Sequence, residues 1–456
     1  MADTGNLSAD LKHMLLDLRQ MKSFCEHPLI IKEAKGVYLT DIEGKRYIDG
    51  ISGIYVVNIG HGNEYVIEAL RRQQERVCFV APMHAVADIS IEYAKRLTTI
   101  TPDPLNTVKL LSGGSEATET AMKFSRQYHR QTGNPFKYKV IANYRGFHGA
   151  TLGALSASGL GGPRKSVFGP FLEGFVHIPP PTCFRCPYKA TYPGCDILCA
   201  QMLGQVIEGE GAESVAAFIM EPIGNTGGIV TPPQEYFDVV RKTCTKYGVT
   251  LIFDEIITGM GRTGNWFAAQ TYNTEPDILC TGKGLGSGYA PLAAAIMSDD
   301  MYFGAFWGEE EQDVHFAHGH TFAGNPISAA IGLAALEVIE REGLIQKGQE
   351  LGDHIRRRLE QEVRALGILG EVRGKGCLVG VEFVEDMSSG KPFAPERRFG
   401  KCVERRLIEN GLILRCDPDW IAFGPPFVMT IEQADEMIEV FIDSVREELE
   451  SGASAR

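Results

Sequence analysis

The sequence lacks any long hydrophobic run and any excess of positive charge. No apolar stretch approaches the roughly 20 residues that a membrane-spanning helix requires, so we expect no membrane association. Residues 1–6 contain neither a basic cluster nor an apolar segment, and we expect no signal peptide. With 45 Lys and Arg against 58 Asp and Glu, the formal net charge is −13, which argues against nucleic-acid binding.

The chain also has few of the sequence features that mark secreted, repetitive or low-complexity proteins. Its 11 cysteines are mostly scattered over 456 residues, which indicates reduced thiols and predicts a cytoplasmic protein. We find no internal repeat or low-complexity tract. Hydrophobic residues make up 44% and charged residues 23%, the composition of an ordinary globular protein. At roughly 150 residues per domain, the length suggests two or three domains.

Helical segments alternate with short apolar strands between about residues 85 and 330. This alternation predicts an α/β fold with a mostly parallel sheet, covered by helices on both faces. The clearest strands are 108–111, 139–142, 216–220, 250–253, 278–280 and 292–297. We therefore predict a large domain over 81–330 that holds the functional site.

Smaller elements flank this region on both sides. The pattern predicts an amphipathic helix over 7–26 and a β-hairpin over 36–49, which together form an N-terminal segment, 1–80. Beyond 330, helices alternate with strands at 376–383 and 411–414, which predicts a smaller α+β domain over 331–456.

Lys283 and Asp254 are the leading catalytic candidates. Lys283 lies between two glycines in 281–291, a segment with almost no other charge, where an amine loses part of its preference for the charged form and becomes a nucleophile. Asp254 follows the apolar strand 250–253, at the edge of a parallel sheet where functional residues collect. A lysine that forms a Schiff base and a carboxylate for a pyridinium nitrogen are what pyridoxal phosphate (PLP) requires of a protein. The alternative is a surface lysine in a loop.

Two further loops have the composition of a cofactor site. Gly113, Gly114 and Ser115 join a strand to a helix whose first N–H groups can bind a phosphate, although glycine and serine are also common where helices begin. Phe147, in another loop after a strand, can stack on a planar ring or simply pack in the core.

Together these segments resemble a known family. Ser-Gly-Gly-Ser-Glu-Ala at 112–117, Phe-His-Gly at 147–149, Glu-Pro at 221–222, Asp-Glu-Ile-Ile-Thr-Gly at 254–259, Gly-Lys-Gly at 282–284 and Thr-Phe-Ala-Gly-Asn-Pro at 321–326 occur in this order. The set closely resembles the class III PLP-dependent aminotransferases of fold type I, over roughly residues 30–445. The resemblance implies that the central sheet has seven strands.

The resemblance implies a role for each matching residue. Lys283 takes the position of the Schiff-base lysine that also moves the proton, and Asp254 that of the partner of the ring nitrogen. The remaining cofactor positions are Gly114 and Ser115 for the phosphate, Phe147 and Ile256 on the two ring faces, His148 and Glu221 beside them, and Thr321. In the family this threonine reaches the phosphate of the neighbouring subunit, which implies a homodimer, or a tetramer, with shared active sites. Most relatives carry tyrosine in place of Phe147.

Further resemblances suggest the substrate. Tyr55 falls where ω-amino acid:pyruvate aminotransferases commonly have tryptophan, on the pocket wall, and Arg415 matches their arginine ten residues before Pro-Pro. Such an arginine can bind a carboxylate or sulfonate through two hydrogen bonds, or it can form an ordinary salt bridge. Residues 221–228 lack the Gln-Gly-Glu of ornithine-type relatives, and Ile257 replaces a glutamine common in them. Both departures favour pyruvate as acceptor.

We therefore predict an ω-aminotransferase that moves an amino group to pyruvate by a ping-pong Schiff-base mechanism. The donor is an ω-amino acid or amine of the β-alanine, taurine, γ-aminobutyrate or diamine type. A decarboxylase or an aminomutase on the same scaffold is the alternative, because these classes differ in pocket residues rather than in the lysine and aspartate. Arg415 favours transamination.

Four closely spaced cysteines allow one more interpretation. Cys183, Cys186, Cys195 and Cys199 form two pairs that could bind a structural zinc ion through four thiolates, and a non-catalytic zinc protein is the third functional hypothesis. The intact PLP set argues against that function, and we favour reduced thiols in a loop beside the pocket, with no metal.

Overall fold

The computed structural model describes residues 7–161, 163–309 and 314–454; residues 1–6, considered above for a signal peptide, lie outside the described residues. Its strands are β1 (Ile31–Lys35), β2 (Tyr38–Asp41), β3 (Arg46–Asp49), β4 (Leu105–Leu111), β5 (Lys139–Asn143), β6 (Phe175–Ile178), β7 (Val215–Met220), β8 (Thr250–Glu255), β9 (Ile278–Thr281), β10 (Ala293–Ser298), β11 (Leu369–Lys375), β12 (Leu378–Phe383), β13 (Leu412–Ile413), β14 (Arg415–Cys416) and β15 (Trp420–Phe423).

The α-helices are α1 (Leu7–Asp10), α2 (Met21–Glu26), α3 (Ser52–Tyr55), α4 (Glu64–Arg76), α5 (Asp88–Thr98), α6 (Gly114–Gln131), α7 (Leu152–Ala157), α8 (Pro163–Ser166), α9 (Leu198–Glu210), α10 (Gln234–Tyr247), α11 (Ala268–Thr271), α12 (Asp299–Ala305), α13 (Pro326–Arg341), α14 (Leu344–Ala365), α15 (Phe399–Glu409) and α16 (Ile431–Ser454). Within the described residues, none of the helices is both long and apolar enough to cross a membrane.

A seven-stranded sheet forms the centre of the molecule, in the order β4-β10-β9-β8-β7-β5-β6. Strands β9, β8, β7, β5 and β6 pair in parallel, and β10 runs antiparallel to both of its neighbours, β4 and β9. The inner strands β7 and β8 are buried along their whole length, as their nearly continuous apolar sequences require when helices cover both faces. The predicted α/β class and the mostly parallel seven-stranded sheet are therefore confirmed.

Two smaller sheets lie outside the central one. Strands β1, β2 and β3 form an antiparallel meander, and β13, from the C-terminal part of the chain, joins β3 in parallel. The predicted hairpin is present, and its turn is held by Asp41, whose carboxylate accepts hydrogen bonds from the N–H groups of Glu43 and Lys45. Strands β11, β12, β15 and β14 form the third sheet. The domain boundaries at 80 and 330 stay a prediction.

The predicted helix over 7–26 is wrong. This region contains only the short α1, a 3-10 turn at Leu11–His13 and the short α2, and neither helix has a buried residue. Met14, Leu15 and Leu18 are exposed. A helix of this length depends on burying one apolar face, and this chain alone offers no surface that covers it.

Lys137 ties one end of the central sheet to the end of α10. Its Nζ lies 3.0–3.1 Å from the carbonyl oxygens of Ala212, Val215, Tyr247 and Gly248. The side chain is buried. Tyr247 and Gly248 end the helix, where the helix dipole favours a positive charge.

Replacing Lys137 tests this anchor. In Lys137→Met, one buried and three partly buried carbonyl oxygens lose their donor, and we expect the free energy of unfolding to fall by about 2 kcal/mol or more. Urea denaturation measures the change. Lys246→Met, at an exposed lysine of α10, is the matched control. Equal stability of the two variants would contradict the assignment.

Candidate active site

A cavity of about 300 Å³ lies at the carboxyl-terminal edge of the central sheet, where an α/β fold is expected to bind ligands. Eight of the eleven residues that the sequence singles out line it: Gly114, Ser115, Phe147, His148, Glu221, Asp254, Ile256 and Lys283. They come from the end of β8, the start of α6 and the loops that follow β5, β7, β8 and β9, so the fold gathers positions that are up to about 170 residues apart in the chain.

A larger groove, of about 1040 Å³, lies at the opposite edge of the sheet. Two of the cations that line it are already bound by the protein: Lys137 by its four carbonyl groups, and Arg241 by Asp277, with 3.0 Å between Nη1 and Oδ2. We therefore place the chemistry in the smaller cavity, which holds a lysine and several buried acids.

The Lys283 amine is held at the end of β9 in a tightly packed turn. Gly282 carries the chain out of the strand, and Lys283 adopts a positive φ of 44°. The next residue, Gly284, packs against Asn58, and a Cβ there would lie 2.4 Å from the Asn58 Nδ2 atom. Burial lowers the pKa of the Lys283 amine below its usual value, although the charges of Asp254 and Glu221 oppose this shift. A larger fraction of the amine is therefore neutral and nucleophilic than in a solvent-exposed lysine.

Asp254 and His148 form a buried pair beneath this cavity. Oδ2 of Asp254 lies 2.8 Å from Nδ1 of His148, and Oδ1 accepts the N–H of Ile256 at 3.2 Å. Since a carboxylate only accepts, Nδ1 carries the hydrogen. His148 is fixed through its backbone, because its N–H donates to Ser158 Oγ and its carbonyl accepts from Thr118 Oγ1. The Nε2 atom of His148 is buried and has no hydrogen-bond partner.

Glu221 supplies a second acid beside this pair. Its two oxygens accept the N–H groups of Phe147, at 3.0 Å, and Asn225, at 3.2 Å. The pKa of its carboxyl is raised to about 7, chiefly by burial; His148 lowers it and Asp254 raises it. Glu221 therefore joins the loop after β5 to the loop after β7, and the Phe147 ring, 37% exposed, remains open to the cavity.

The N-terminus of α6 opens into the same cavity. The helix starts at Gly114, so its first N–H groups and the positive end of its dipole are available to an anion. Ser115 Oγ accepts the N–H of Ala150 at 3.0 Å, and Gly149 sits so close that a Cβ would lie 2.5 Å from this oxygen. Ile256 packs against Gly114. This end of the cavity therefore suits a phosphate group.

Three of the predicted residues, Thr321, Arg415 and Tyr55, do not line the cavity in this chain. Thr321 is exposed. Arg415 lies nearby, since its charge lowers the pKa of Lys283, and it pairs with Asp417 at 3.7 Å while its guanidinium lies over the Trp420 ring. Their proposed roles stay predictions.

Tyr55 does not line the cavity in this chain, and its role in substrate binding stays a prediction. The ring is buried rather than on the cavity wall, and it packs so closely on Gly424 that a Cβ there would lie 2.6 Å from Tyr55 Cδ1. Tyr55 has a positive φ of 62°, and its neighbour Val56 lines the cavity. The charge of Arg415 acts on the Tyr55 hydroxyl, so the two residues are close.

The residues that position His148 were missed by sequence reasoning. Thr118 and Ser158 are ordinary hydroxyl residues of a helix interior and a helix end, and nothing in their local pattern points to a histidine 30 or 10 residues away. Only the folded arrangement identifies them.

The cysteine cluster gives no support to a metal site. Across the part of the chain that the structure describes, no group of three or more His, Cys, Asp or Glu side chains is arranged to hold a metal ion. Burial raises the pKa of the Cys183 thiol and, to about 11, that of Cys199, so both are protonated at neutral pH.

Comparison with known proteins decides the family. A sequence model of the family described as Aminotransferase class-III matches residues 21–445. The chain belongs to the class III aminotransferases. It is 37% identical over 427 residues to a probable aminotransferase of Mycobacterium tuberculosis, covering 92% of this chain and 90% of the relative.

Two further relatives of this aminotransferase carry more specific names. A putrescine–pyruvate aminotransferase of Pseudomonas aeruginosa is 33% identical, covering 90% of this chain and 88% of the relative. A taurine–pyruvate aminotransferase of Bilophila wadsworthia is 34% identical, covering 85% of this chain and 84% of the relative. The two names share an acceptor but not a donor.

The fold of the aminotransferase agrees with this assignment. A thermostable (S)-enantioselective omega-transaminase of Thermomicrobium roseum superposes with a TM-score of 0.91 at 36% sequence identity, covering 97% of this chain and 98% of that one. The fold is that of the fold type I transferases, and the enzyme is an aminotransferase, which exchanges an amino group between an amine and a keto acid.

The raised pKa of Glu221 predicts a pH dependence of stability. Because the folded protein binds this proton more tightly than the unfolded chain, the contribution of Glu221 to stability is fully present below about pH 4.5 and is lost as the pH rises through about 7. Glu221→Gln removes this loss. We expect the stability of the variant relative to the parent, measured by urea denaturation without cofactor, to be higher at pH 8 than at pH 5.

The exposed Glu33→Gln on β1 is the matched control and should show no such pH-dependent difference. A Glu221→Gln variant whose relative stability is the same at both pH values would refute the assigned shift.

Proposed function

We propose that this enzyme uses PLP, bound to Lys283, to transfer the amino group of an ω-amino acid or amine to pyruvate. The observation that carries the proposal is the convergence, in one cavity, of a buried amine of lowered pKa, the Asp254–His148 pair and the free N-terminus of an 18-residue helix. These are the three groups that an aldehyde, a pyridine nitrogen and a phosphate require.

The residues of the cavity fit the cofactor. Gly114 and Ser115 would hold the phosphate through backbone N–H groups and the hydroxyl, and Phe147 and Ile256 would enclose the ring. Asp254 would accept a hydrogen bond from the protonated ring nitrogen and so keep that nitrogen charged. The Nε2 atom of His148 is buried and makes no hydrogen bond within the protein, so it remains available to a bound group. When bound, PLP supplies an electron sink that stabilises negative charge on the substrate carbon next to the transferred nitrogen.

The remaining chemistry belongs to the protein. Nζ of Lys283 can accept a proton from that carbon in one half of the cycle and return it in the other, since burial keeps part of the amine neutral. His148, held by Thr118 and Ser158, keeps the Asp254 carboxylate oriented. Glu221 fixes the backbone of Phe147 and Asn225 and so keeps the cavity closed around the ring.

The arginine near the cavity supports an acidic substrate. The Arg415 guanidinium is close enough to Lys283 to affect its pKa, and its partner Asp417 lies at a long 3.7 Å, so a substrate carboxylate can compete for it. Pyruvate and β-alanine present a carboxylate and taurine presents a sulfonate, whereas a diamine has no anionic group. Relatives named for pyruvate with putrescine and with taurine support pyruvate as the common acceptor in a ping-pong cycle.

We also infer a homodimer with shared active sites. Thr321 is exposed next to Phe322, which is 59% exposed and contacts Phe79, and Met83 and Val86 are exposed nearby in the chain. An exposed apolar surface of this kind suits a second copy of the chain. All eleven cysteines are free, which supports a reducing, cytoplasmic location.

Replacing Lys283 tests the catalytic assignment. Lys283→Ala should lower kcat for every donor by at least about 10³-fold, because both the attachment point and the proton carrier are lost. The exposed Lys347→Ala is the control. Activity is measured as alanine formed from pyruvate, and a variant that retains more than a tenth of the parent activity would exclude this role.

Replacing Arg415 tests the substrate class. Arg415→Ala should raise KM for pyruvate and for β-alanine by about tenfold or more, since a charge-assisted hydrogen-bonded pair is removed, and should change KM for 1-phenylethylamine less than threefold. Steady-state kinetics with each substrate decide. An equal effect on charged and uncharged donors would assign Arg415 a purely structural role.

A further inference from the structure

A segment with no part in the reaction described above lies along helix α6. We name residues 315–321 the strap. Its backbone and side chains contact one face of the helix at successive turns: Gln127 Nε2 donates to the carbonyl of His315 at 2.7 Å, the rings of Phe124 and Phe316 lie 4.4 Å apart, and Thr120, Lys123 and Glu116 contact the histidines beyond.

The order of the contacts on this face of α6 shows in which direction the strap runs. Glu116, Thr120, Lys123 and Gln127 are spaced by four, three and four residues, so they share one side of the helix. The strap meets them in reverse order and therefore runs towards the N-terminus of α6. Its last contact, His320, is with the first turn of the helix, and the next residue is Thr321.

Two histidines join the strap to the helix. Nδ1 of His318 lies 3.1 Å from Nζ of Lys123, and Nε2 lies 3.0 Å from Thr120 Oγ1 and 3.1 Å from Nε2 of His320. An ammonium only donates, so Nδ1 accepts and the hydrogen of a neutral His318 is on Nε2. The pKa of His318 is lowered to about 4 by burial and by the positive charges around it, which keeps the ring in this neutral form.

The second histidine continues the chain of contacts towards the cavity. Nδ1 of His320 lies 3.7 Å from Oε1 of Glu116, whose Oε2 accepts the N–H of Ser112 at 3.0 Å. Ser112 lines the cavity. Lys123, His318, His320 and Glu116 therefore form one polar series that ends at the loop that holds the phosphate end of the site.

Thr321 is exposed at the end of this series and does not line the cavity of its own chain. We propose that His318 and His320 are positioning residues that fix Thr321 so that its hydroxyl completes the phosphate site of a second copy of the chain. This inference rests on the proposed function. When the strap is held at each turn of α6, Thr321 has one fixed position. When the contacts of His318 are lost, Thr321 is no longer held there, and the partner's phosphate loses one ligand.

Cofactor release tests the proposal directly. In the PLP-loaded enzyme, His318→Leu removes the ring's three polar contacts, to Lys123, Thr120 and His320. We expect PLP to dissociate about tenfold faster, the size expected from losing one hydrogen bond to a charged group. His318→Asn keeps an acceptor for Lys123 and should stay within threefold of the parent. His354→Leu, which breaks a histidine contact to Asp435 on α16, is the matched control and should leave the release rate unchanged.

Hydrogen–deuterium exchange gives a readout independent of the cofactor. His318→Leu should increase exchange in the strap and not in α6, which shows that the helix is intact. Equal PLP release in His318→Leu and the parent would overturn the proposal, as would faster release without any increase in strap exchange.

Mixed dimers separate action on the partner from action within one chain. Each dimer carries Lys283→Ala on one chain, so PLP attaches only to the other. With His318→Leu placed on the Lys283→Ala chain, PLP should be released fast; with His318→Leu on the chain that retains Lys283, release should match the parent. The reverse pattern overturns the proposal. A parent enzyme that binds no PLP refutes the proposed function itself, which distinguishes the two failures.

Discussion

The buried contact between Asp254 and His148 is the interaction on which the rest of the site depends. A carboxylate buried at the end of β8 is tolerated only when it is paired, and removing either partner leaves an uncompensated polar group in the interior. The pair requires the loop after β5 to lie across the end of β8, and the parallel sheet places it there. Glu221, Phe147 and the N-terminus of α6 then take their positions around this contact, and the Lys283 amine faces it from β9.

Helix α6 connects the chemistry of one chain with the assembly. Its first turn provides the anion site, its buried face packs on the central sheet, and a second face carries the strap that ends at Thr321. The same helix would therefore hold the phosphate of its own site and orient the threonine offered to the next. A change in α6 is expected to affect cofactor binding in both subunits, which links dimer formation to the retention of PLP.

Much of the fold and the site can be predicted from the sequence, because a buried parallel strand is recognisable from its own short apolar run. Apolar runs predicted six of the seven central strands, and the residues just beyond them, Asp254 and Glu221 among them, lie at the cavity. Strand β6 was missed because its four residues form a strand only through pairing with β5. The helix over 7–26 was wrong because its apolar face finds no partner in this chain. Tyr55 turns inward owing to backbone angles that no pattern of side chains reveals, and the anchors Thr118 and Ser158 are set by tertiary packing alone.

The central claim is that the cavity carries out amino transfer with PLP. The most direct measurement is the absorbance of PLP bound to the purified enzyme as taurine, β-alanine, putrescine and 1-phenylethylamine are added separately, followed by pyruvate, with carbon dioxide release monitored in parallel. The account predicts that the absorbance of lysine-bound PLP is lost in stoichiometric amount with an ω-amine and recovers with pyruvate. Bound PLP that no amine alters, or loss of absorbance accompanied by carbon dioxide release, would contradict it.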